Sequence, residues 1–387
     1  MLNNPAIADK LIEQFSSHFH NSPTVLSWAP GRINIIGEHT DYNDGLALPA
    51  AINRYVAVAI APRDDNKIIF RSANYSETFE IEIENLTSLK PETSWHRYMV
   101  GSLCISKELG CNVRGMNIML TGDIPAGSGL SSSAALILAL LGGFARFNEI
   151  EPDPWKLVKA SQRVEHEYLG VKCGLLDQIG SQMSLPNQVL EVDFQSLEVR
   201  PTQYELPGYS WVALHTGKSR ELAKSAYQTR VAECKEGLER FSAQYPHVET
   251  MRDIKAEDIQ GDDAITKRIR HVVEENKRVK QALSYIQNDP ESLGSVLSAS
   301  HQSLRDDYEV SCDELNTMVE IAVEHPACAG ARMMGGGFGG STLNLVKTDE
   351  AAAFVDATLS EYQKRYPDLK TSALIAELVG GAGSVTL

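Results

Sequence analysis

Short apolar runs separated by polar residues fill the first half of the chain, a pattern typical of β-strands. Four of these runs predict strands at residues 55–61, 67–73, 79–83 and 116–120. A longer uncharged run at residues 124–145 contains Pro125, four Ser and four Gly, and only residues 134–141 are solidly apolar. Because that apolar stretch is too short to cross a membrane, it predicts a buried core helix.

The second half contains apolar residues at helical spacing, which indicates amphipathic helices. One such pattern follows Asp262 and Asp263, two residues that suit a helix N-terminus. Its apolar members are Ile265, Ile269, Val272, Val273, Val279 and Leu283. A second helix is predicted from residues 311–314, because their sequence Ser-Cys-Asp-Glu has the Ser-x-x-Glu spacing of a capping box.

The pattern loosens between the two halves, over residues 186–210, where Pro186, Pro201 and Pro207 occur. Proline interrupts both helices and strands, so this stretch is interpreted as a domain boundary. A length of 387 residues also suits two domains better than one. We therefore predict an N-terminal domain over residues 1–206 and a C-terminal domain over residues 207–387.

Charge and cysteine content exclude several classes of protein. The net charge is −15, from 36 Lys and Arg against 51 Asp and Glu, and such a field repels nucleic acid and anionic membranes. The six cysteines form no CxxC pair and no cluster with histidine, so they are interpreted as reduced thiols and not as a zinc site. No secretory signal is found in the first 30 residues. We expect a cytoplasmic protein without nucleic-acid or membrane partners.

The first of three polar motifs spans residues 31–45, with the sequence GRINIIGEHTDYNDG. Carboxylates and other polar groups are dense between its last two glycines, Gly37 and Gly45. They suit a loop that binds a polyhydroxylated ligand, because each carboxylate accepts hydrogen bonds from two hydroxyls. Composition alone favours a solvated turn, for which residues 43–45, Asn-Asp-Gly, are well suited.

The second motif, residues 122–135, reads GDIPAGSGLSSSAA and lies between a predicted strand and the apolar helix. Gly127 and Gly129 allow a tight backbone turn whose N–H groups can point at one anion, and the following helix adds its positive dipole end. The hydroxyls of residues 131–133 suit phosphate oxygens or a magnesium ion. A Ser-rich helix cap is the alternative interpretation, and the GxxxxGK[ST] order of a Walker A loop is absent.

The third motif is GGGFGG at residues 335–340. It satisfies GxGxxG, the pattern of dinucleotide-binding folds, but that fingerprint passes from a strand into a helix. Here residues 341–346, STLNLV, predict a strand instead. We interpret the motif as a loop where backbone approaches another group closely, and not as an NAD site.

Together, the three motifs resemble the superfamily of galactokinase, homoserine kinase, mevalonate kinase and phosphomevalonate kinase. The first motif is similar to the galactokinase signature almost throughout, whereas mevalonate and homoserine kinases lack its Glu-His-Thr-Asp-Tyr run. Further similarity to galactokinases lies at residues 173–178 (CGLLDQ), 220–234 and 303–315 (SLRDDYEVSCDEL). The resemblance covers essentially the whole chain.

The resemblance implies an α+β fold of two domains with the active site between them. The N-terminal α/β domain would be similar to domain 2 of ribosomal protein S5, and the C-terminal α+β domain would be ferredoxin-like. It also implies an ATP-dependent kinase that phosphorylates the anomeric hydroxyl of D-galactose, giving α-D-galactose 1-phosphate and ADP. The expected partners are D-galactose and MgATP, with Mg²⁺ as cofactor, and a monomer is expected.

The same resemblance implies roles for individual residues. Those expected to bind the sugar are Glu38, His39, Thr40, Asp41, Gly174 and Tyr227. Those expected to surround the ATP phosphates are Gly127, Ser128, Gly129, Leu130, Ser131, Ser132 and Ser133. Ser133 and Glu165 would hold magnesium, while Arg32 and Asp177 would flank the attacking hydroxyl. Without the resemblance, Glu165 would be interpreted as part of a solvated helix face and Asp177 as a helix carboxylate with a local partner.

Two alternatives stay open at this point. One is a kinase for N-acetylgalactosamine or another sugar, and the other is a galactose sensor without catalysis. Such sensors resemble galactokinases but alter the Gly/Ser loop, which is intact here at residues 131–134. Ser128, Met334 and Ser341 depart from the usual family pattern, which concerns nucleotide affinity more than the reaction class. Whether Asp177 is a true base or an orienting group also stays open.

Overall fold

The structure, a computed structural model, describes residues 5–387 apart from residues 76, 90, 92, 126, 205 and 219–222. Within this part of the chain, the strands β1 to β13 are, in order, Val25–Asn34, Leu46–Ala47, Pro49–Pro62, Lys67–Ser72, Thr78–Glu82, Met116–Gly122, Gln188–Asp193, Glu198–Gln203, Tyr209–His215, Cys328–Met334, Ser341–Lys347, Ser372–Ala376 and Gly383–Thr386. The helices α1 to α10 are Pro5–Phe19, Ser94–Ser106, Ser132–Phe147, Pro154–Val164, Leu176–Met183, Ala223–Gln244, Ala264–Tyr285, Pro290–Asp306, Asp313–Glu324 and Ala351–Arg365.

The first sheet has the strand order β13-β1-β3-β6-β4-β5 and is covered on both faces. Helix α1 packs against β3 and β6, and α3 packs against β1 and β3. Alternate residues of β3 therefore enter two different cores: Ala57 lies in the cluster with Leu11 and Phe15 of α1, and Val58 lies in the cluster with Leu138 of α3. Burial on both faces explains why residues 55–61 are an unbroken apolar run.

The second sheet is antiparallel, with the strand order β10-β11-β9-β12. Helices α8 and α9 pack on β10, and α10 packs on β9. Taken with the helices between them, β9, β10, β11 and β12 follow the β-α-β-β-α-β order of a ferredoxin-like unit. The C-terminal part of the chain therefore has the predicted ferredoxin-like fold, to which α6 and α7 are added.

The two sheets are joined by a shared core and by a small third sheet of β2, β7 and β8. Ile33, Ile35 and Ile36 of the first motif belong to the same buried cluster as Trp211 of β9 and Met334 of β10. Strand β13 returns to the first sheet and pairs with β1, with Val25 opposite Thr386. The predicted boundary at residues 206 and 207 falls just before β9 and stays a prediction.

Most of the predicted elements are confirmed. The predicted strands correspond to β3, β4, β5, β6 and β11, and the apolar run lies in the buried helix α3. Asp263 caps α7 by accepting hydrogen bonds from the N–H groups of Ile265 and Thr266. The described helices include none that is long and apolar enough to cross a bilayer.

The capping box predicted at residues 311–314 is wrong. Helix α9 begins at Asp313, its N-cap residue is Cys312, and no side chain caps it. The Ser311 hydroxyl instead donates a hydrogen bond to Oδ1 of Asn316, at 2.6 Å. Because the helix begins one residue later than the capping box requires, Ser311 precedes the N-cap position and Glu314 is not at N3.

Candidate active site

All three motifs contribute to one cavity of about 440 Å³. The predicted site residues that line it are Arg32, Glu38, His39, Asp41, Gly127, Gly129, Ser131, Ser132, Ser133, Glu165, Gly174, Asp177 and Tyr227. Thr40, Ser128 and Leu130 lie behind these residues, where they support the loops. The structure brings these distant segments of the chain together, while the role of each residue stays a prediction.

The side chain of Thr40, which was expected to bind the sugar, connects the two ends of the polar loop, residues 37–46. The Thr40 hydroxyl lies 2.9 Å from the carbonyl oxygen of Gly37 and 2.8 Å from that of Leu46, at the two ends of the loop. Gly37 has a φ of +96°, and a Cβ there would lie 2.4 Å from the carbonyl oxygen of Leu46. Only glycine fits this turn, so Gly37 and Thr40 together set the loop conformation.

Glu38 is buried and is bound by groups from the third motif. Its Oε1 lies 2.5 Å from Nη2 of Arg332 and accepts a hydrogen bond from the N–H of Gly335 at 2.8 Å. Arg332 is itself fully buried on β10 and also donates to the carbonyl oxygen of Ile35. The Glu38 carboxylate is therefore held in one orientation at the cavity wall before any ligand arrives.

His39 lies among aromatic rings and is neutral over the physiological pH range. Burial, together with the neighbouring His271 and Arg230, lowers the pKa of His39 to about 3. Its Nδ1 lies 2.7 Å from the Tyr42 hydroxyl, which lies 2.8 Å from the hydroxyl of Tyr308. These contacts fix the orientation of the imidazole ring, whose other nitrogen, Nε2, is buried.

Asp41 lies against Gly174, and its carboxyl group titrates close to neutral pH. A Cβ on Gly174 would lie 1.9 Å from Oδ2 of Asp41, so the carboxylate occupies the space that any other side chain at position 174 would need. Burial raises the pKa of Asp41 to about 7, with further contributions from the negative charges of Asp177 and Glu38. Near neutral pH, Asp41 therefore changes between a carboxylic acid and a carboxylate.

This titration predicts a pH dependence of sugar binding. If the ionised Asp41 accepts a hydrogen bond from a sugar hydroxyl, protons compete with the sugar below the pKa of about 7. Galactose affinity, measured by calorimetry without nucleotide, should then be constant above that pH and fall by up to about tenfold per pH unit below it. Asp41→Asn should remove the dependence, while Glu165→Gln should keep it. A flat profile in the unsubstituted protein would contradict the role of Asp41.

The Gly/Ser loop leads into α3 through a left-handed turn. Gly127, Gly129 and Ser131 have φ values of +72°, +80° and +61°. Ser131 is the N-cap residue of α3, but its side chain does not cap the helix, and its Oγ is buried with no hydrogen-bond partner among the described residues. Backbone N–H groups at the start of α3 have no partner within the helix and therefore suit an anion in the cavity.

Arg32 connects the Gly/Ser loop to Asp177. Its Nη1 donates to the carbonyl oxygen of Gly129 and its Nη2 to Oδ1 of Asp177, both at 2.6 Å. The Arg32 side chain is 4% exposed, whereas that of Asp177 is 32% exposed, so the carboxylate can still reach a ligand. The ion pair therefore lies at the junction between the loop and the rest of the cavity.

Glu165 is a buried carboxylate that lines the cavity together with the Gly/Ser loop. It lies in a π-helical turn, Glu165–Leu169, and its Oε2 accepts hydrogen bonds from Sγ of Cys173 at 2.9 Å and Nε2 of Gln178 at 2.6 Å. Ser133 and Glu165 both line the cavity, and burial raises the pKa of Glu165 to about 7. A divalent cation would favour the ionised form, and oxygen ligands of this kind suit Mg²⁺ when phosphates complete the coordination.

Sequence reasoning missed several residues that form this site. Two of them are Arg332, which binds Glu38, and Glu275, which binds the backbone of Gly37. Neither has a local sequence signature, because its partner lies more than 200 residues away. The cavity is also lined by Tyr98, Val171, Lys172, Cys173, Leu176, Gln228, Gly335 and Gly336. The third motif did point to Gly335 and Gly336, because it predicted a loop where the backbone approaches another group closely.

Comparisons with known proteins agree with this geometry. The chain matches a galactokinase galactose-binding signature over residues 13–62, the GHMP kinase N-terminal domain over residues 97–184 and the GHMP kinase C-terminal domain over residues 279–364. A galactokinase from Chloroflexus aggregans is 35% identical over 378 residues, 96% of this chain and 95% of that protein. This chain belongs to the galactokinase family.

Other members of the galactokinase family show comparable similarity. A galactokinase from Enterococcus faecalis is 38% identical over 92% of this chain and 94% of its own length. The crystal structure of a galactokinase from Lactococcus lactis complexed with galactose matches with a TM-score of 0.91 and 33% identity, covering 98% of this chain and 100% of that one. A mevalonate kinase from Methanococcus jannaschii has a TM-score of 0.69 at 18% identity, which shows a shared fold. The predicted family and two-domain fold are confirmed.

Proposed function

We propose that this protein is an ATP-dependent sugar kinase that phosphorylates the anomeric hydroxyl of D-galactose, giving α-D-galactose 1-phosphate and ADP. The observation that carries the proposal is the ion pair of Arg32 and Asp177, which lines one cavity together with the polar loop and the Gly/Ser loop. Membership of the galactokinase family and the galactose bound in the Lactococcus lactis relative support the choice of sugar.

In the proposed reaction, the anomeric oxygen forms a bond to the γ-phosphorus as the bond from that phosphorus to the bridging oxygen of ATP breaks. The bonding electron pair leaves with ADP, and the hydroxyl proton passes to the Asp177 carboxylate or through it to solvent. Transfer of this kind depends mainly on positioning and charge neutralisation. Arg32 contributes both, because it orients Asp177 and adds positive charge beside the Gly/Ser loop.

On the sugar side, we propose that Glu38, His39, Asp41, Gly174 and Tyr227 bind galactose. Glu38 and Asp41 supply acceptors, and the neutral imidazole of His39 lines the same cavity. The backbone of Gly174 can approach the sugar closely. Thr40 acts indirectly, since its hydroxyl bonds to the ends of the loop.

On the nucleotide side, we propose that residues 127–133 surround the phosphates and that Ser133 and Glu165 hold Mg²⁺. The cation would neutralise charge on the phosphate oxygens when bound. Ser128 and Leu130 act through the backbone: the carbonyl oxygen of Ser128 accepts a hydrogen bond from Ser341, and that of Leu130 accepts one from the N–H of Arg32. The loop itself contains no Lys or Arg, so backbone N–H groups are its main phosphate donors.

The backbone role of the loop predicts that Gly129→Val weakens ATP binding. A β-branched residue is strained at the φ of +80°, and its side chain would block close approach of a phosphate. Calorimetry should show at least a tenfold loss of MgATP affinity with unchanged galactose affinity. Gly208→Val is a matched control, since Gly208 has a φ of +81° in a turn that does not line the described cavity. Normal ATP affinity in a folded Gly129→Val variant would reject the assignment.

A coupled assay of ADP release across a panel of sugars tests the function. Galactose should be preferred to glucose by about 10⁴-fold. The wrong epimer would leave buried polar groups of the site without hydrogen-bond partners, and discrimination of about this size is typical of such sites. Comparable turnover of glucose would contradict the proposal, and a preference for N-acetylgalactosamine would favour the alternative sugar kinase. Binding of galactose and ATP without ADP release would favour the sensor.

We also propose that the protein acts as a cytoplasmic monomer, which its six unpaired cysteines are compatible with.

A further inference from the structure

We infer that Glu275, on α7 of the C-terminal half, is a positioning residue for galactose recognition, because it holds the backbone from which Glu38 reaches the cavity. This inference rests on the proposed function and adds a residue that does not itself line the cavity. Glu275 is 0% exposed. A buried carboxylate is costly unless it is fully paired, so each of its contacts is informative.

The contacts of Glu275 converge on the start of the polar loop. Its Oε1 accepts hydrogen bonds from the N–H groups of Gly37 at 3.1 Å and Glu38 at 3.3 Å, and from the hydroxyl of Ser300 at 2.8 Å. Its Oε2 accepts one from Nε of Arg278 at 2.7 Å. Two successive backbone amides of the loop are thus directed at one carboxylate oxygen in the other half of the molecule.

Two neighbouring residues of α7 hold other parts of the same loop. Nε2 of His271 lies 3.1 Å from the carbonyl oxygen of Glu38. Oδ1 of Asn276 accepts a hydrogen bond from the N–H of Leu46 at 2.8 Å. His271 and Glu275 are four residues apart and therefore share one face of α7. Together, His271, Glu275 and Asn276 hold the beginning and the end of the loop, whose side chains at positions 38, 39 and 41 line the cavity.

The charge of Glu275 is part of its function. Burial acts to raise its pKa, but the cation Arg278, with smaller contributions from His271 and Arg332, lowers it to about 2. The carboxylate therefore accepts from donors on both of its oxygens. In Glu275→Gln one of these oxygens becomes an NH₂ group, so a donor must face either the loop amides or the Arg278 guanidinium. The substitution keeps the volume of the side chain but removes the hydrogen bonds either to the loop amides or to Arg278.

The test is to measure kcat, both KM values and galactose affinity for Glu275→Gln. We expect about a tenfold rise in galactose KM and Kd, with kcat and ATP KM within twofold, as for the loss of one charged hydrogen bond. Monodeoxygalactoses provide a readout that simple destabilisation would not move. The deoxy sugar whose binding penalty disappears in Glu38→Gln should also lose part of its penalty in Glu275→Gln. Glu275→Asp, which keeps the charge, should restore part of the affinity.

Tyr362→Phe is the matched control, because it also removes a buried hydrogen bond from the C-terminal half, between the Tyr362 hydroxyl and the carbonyl oxygen of Thr216 at 3.1 Å. It should leave galactose affinity unchanged. If Glu275→Gln does not fold, Ser300→Ala removes one donor to the same oxygen and should show a smaller loss of galactose affinity. Wild-type galactose affinity in either folded variant, or equal losses for galactose and ATP, would overturn the inference. Failure of the unsubstituted protein to phosphorylate galactose would instead reject the proposed function.

Discussion

Replacing Asp177 with Asn is expected to lower kcat by about 10²–10⁴-fold, the range for loss of a positioned acid–base group. The amide keeps the size of the side chain but loses the charge that pairs with Arg32 at 2.6 Å, and it accepts no proton. Galactose and MgATP should still bind, because the interaction is used mainly in the transition state. Single-turnover phosphorylation, with binding measured separately, checks this result.

A matched control is Asp193→Asn, which removes the same charge from an ion pair with Arg252, also at 2.6 Å and with a similarly part-exposed carboxylate. Asp193 does not line the described cavity, so kcat should not change. Arg32→Ala should lower kcat and also weaken ATP binding, since Arg32 holds the carbonyl oxygen of Gly129. The double variant should lose less than the sum of the single losses. A near-normal single-turnover rate in Asp177→Asn would remove Asp177 from the mechanism.

Replacing Arg332 with Met is expected to destabilise the protein by about 3–5 kcal/mol, because it leaves the Glu38 carboxylate buried without its cation. Both side chains are almost completely inaccessible, at 0% and 3% exposure, so solvent cannot compensate. The measurement is urea-induced unfolding at neutral pH, where the midpoint should shift to markedly lower urea. Galactose binding should weaken in the same variant, since Arg332 also orients Glu38.

Two further variants separate this effect from a general loss of charge. Arg252→Met breaks a part-exposed ion pair with Asp193, and its expected cost is about 0–1 kcal/mol. Glu38→Gln combined with Arg332→Met removes the uncompensated charge and should recover part of the lost stability. An Arg332→Met protein that unfolds at the same urea concentration as the unsubstituted protein would show that the buried pair is not needed.

The sequence predicted elements well wherever neighbouring residues determine them. The apolar run of α3 and the Asp263 cap of α7 depend on local spacing, and both predictions are confirmed. The capping box at Ser311 failed although its spacing is correct, because the helix begins one residue later, with Cys312 at the N-cap. Local patterns therefore predict which interactions are available, while the folded structure decides which of them form.

The site shows the same division between near and distant contacts. Motif spacing and family resemblance identified most of the residues that line the cavity, since each motif carries its own chemistry. The groups that hold those residues were not predictable in this way. Arg332 is a single arginine in an apolar strand, and Glu275 is one acid in a charged amphipathic helix. Only the fold shows that each meets the polar loop, almost 300 and 240 residues away respectively.

The pairing of β13 with β1 also has a consequence for how the chain is made. The edge of β1 that β13 covers lies in the first tenth of the sequence, and β13 follows it by about 350 residues. At a synthesis rate of about 5–20 residues per second, that edge of β1 remains unpaired for roughly 20–70 s before β13 is synthesised. An unpaired strand edge can associate with other chains. Expression yield should therefore be sensitive to translation rate and chaperone supply, even though the finished protein has this edge covered.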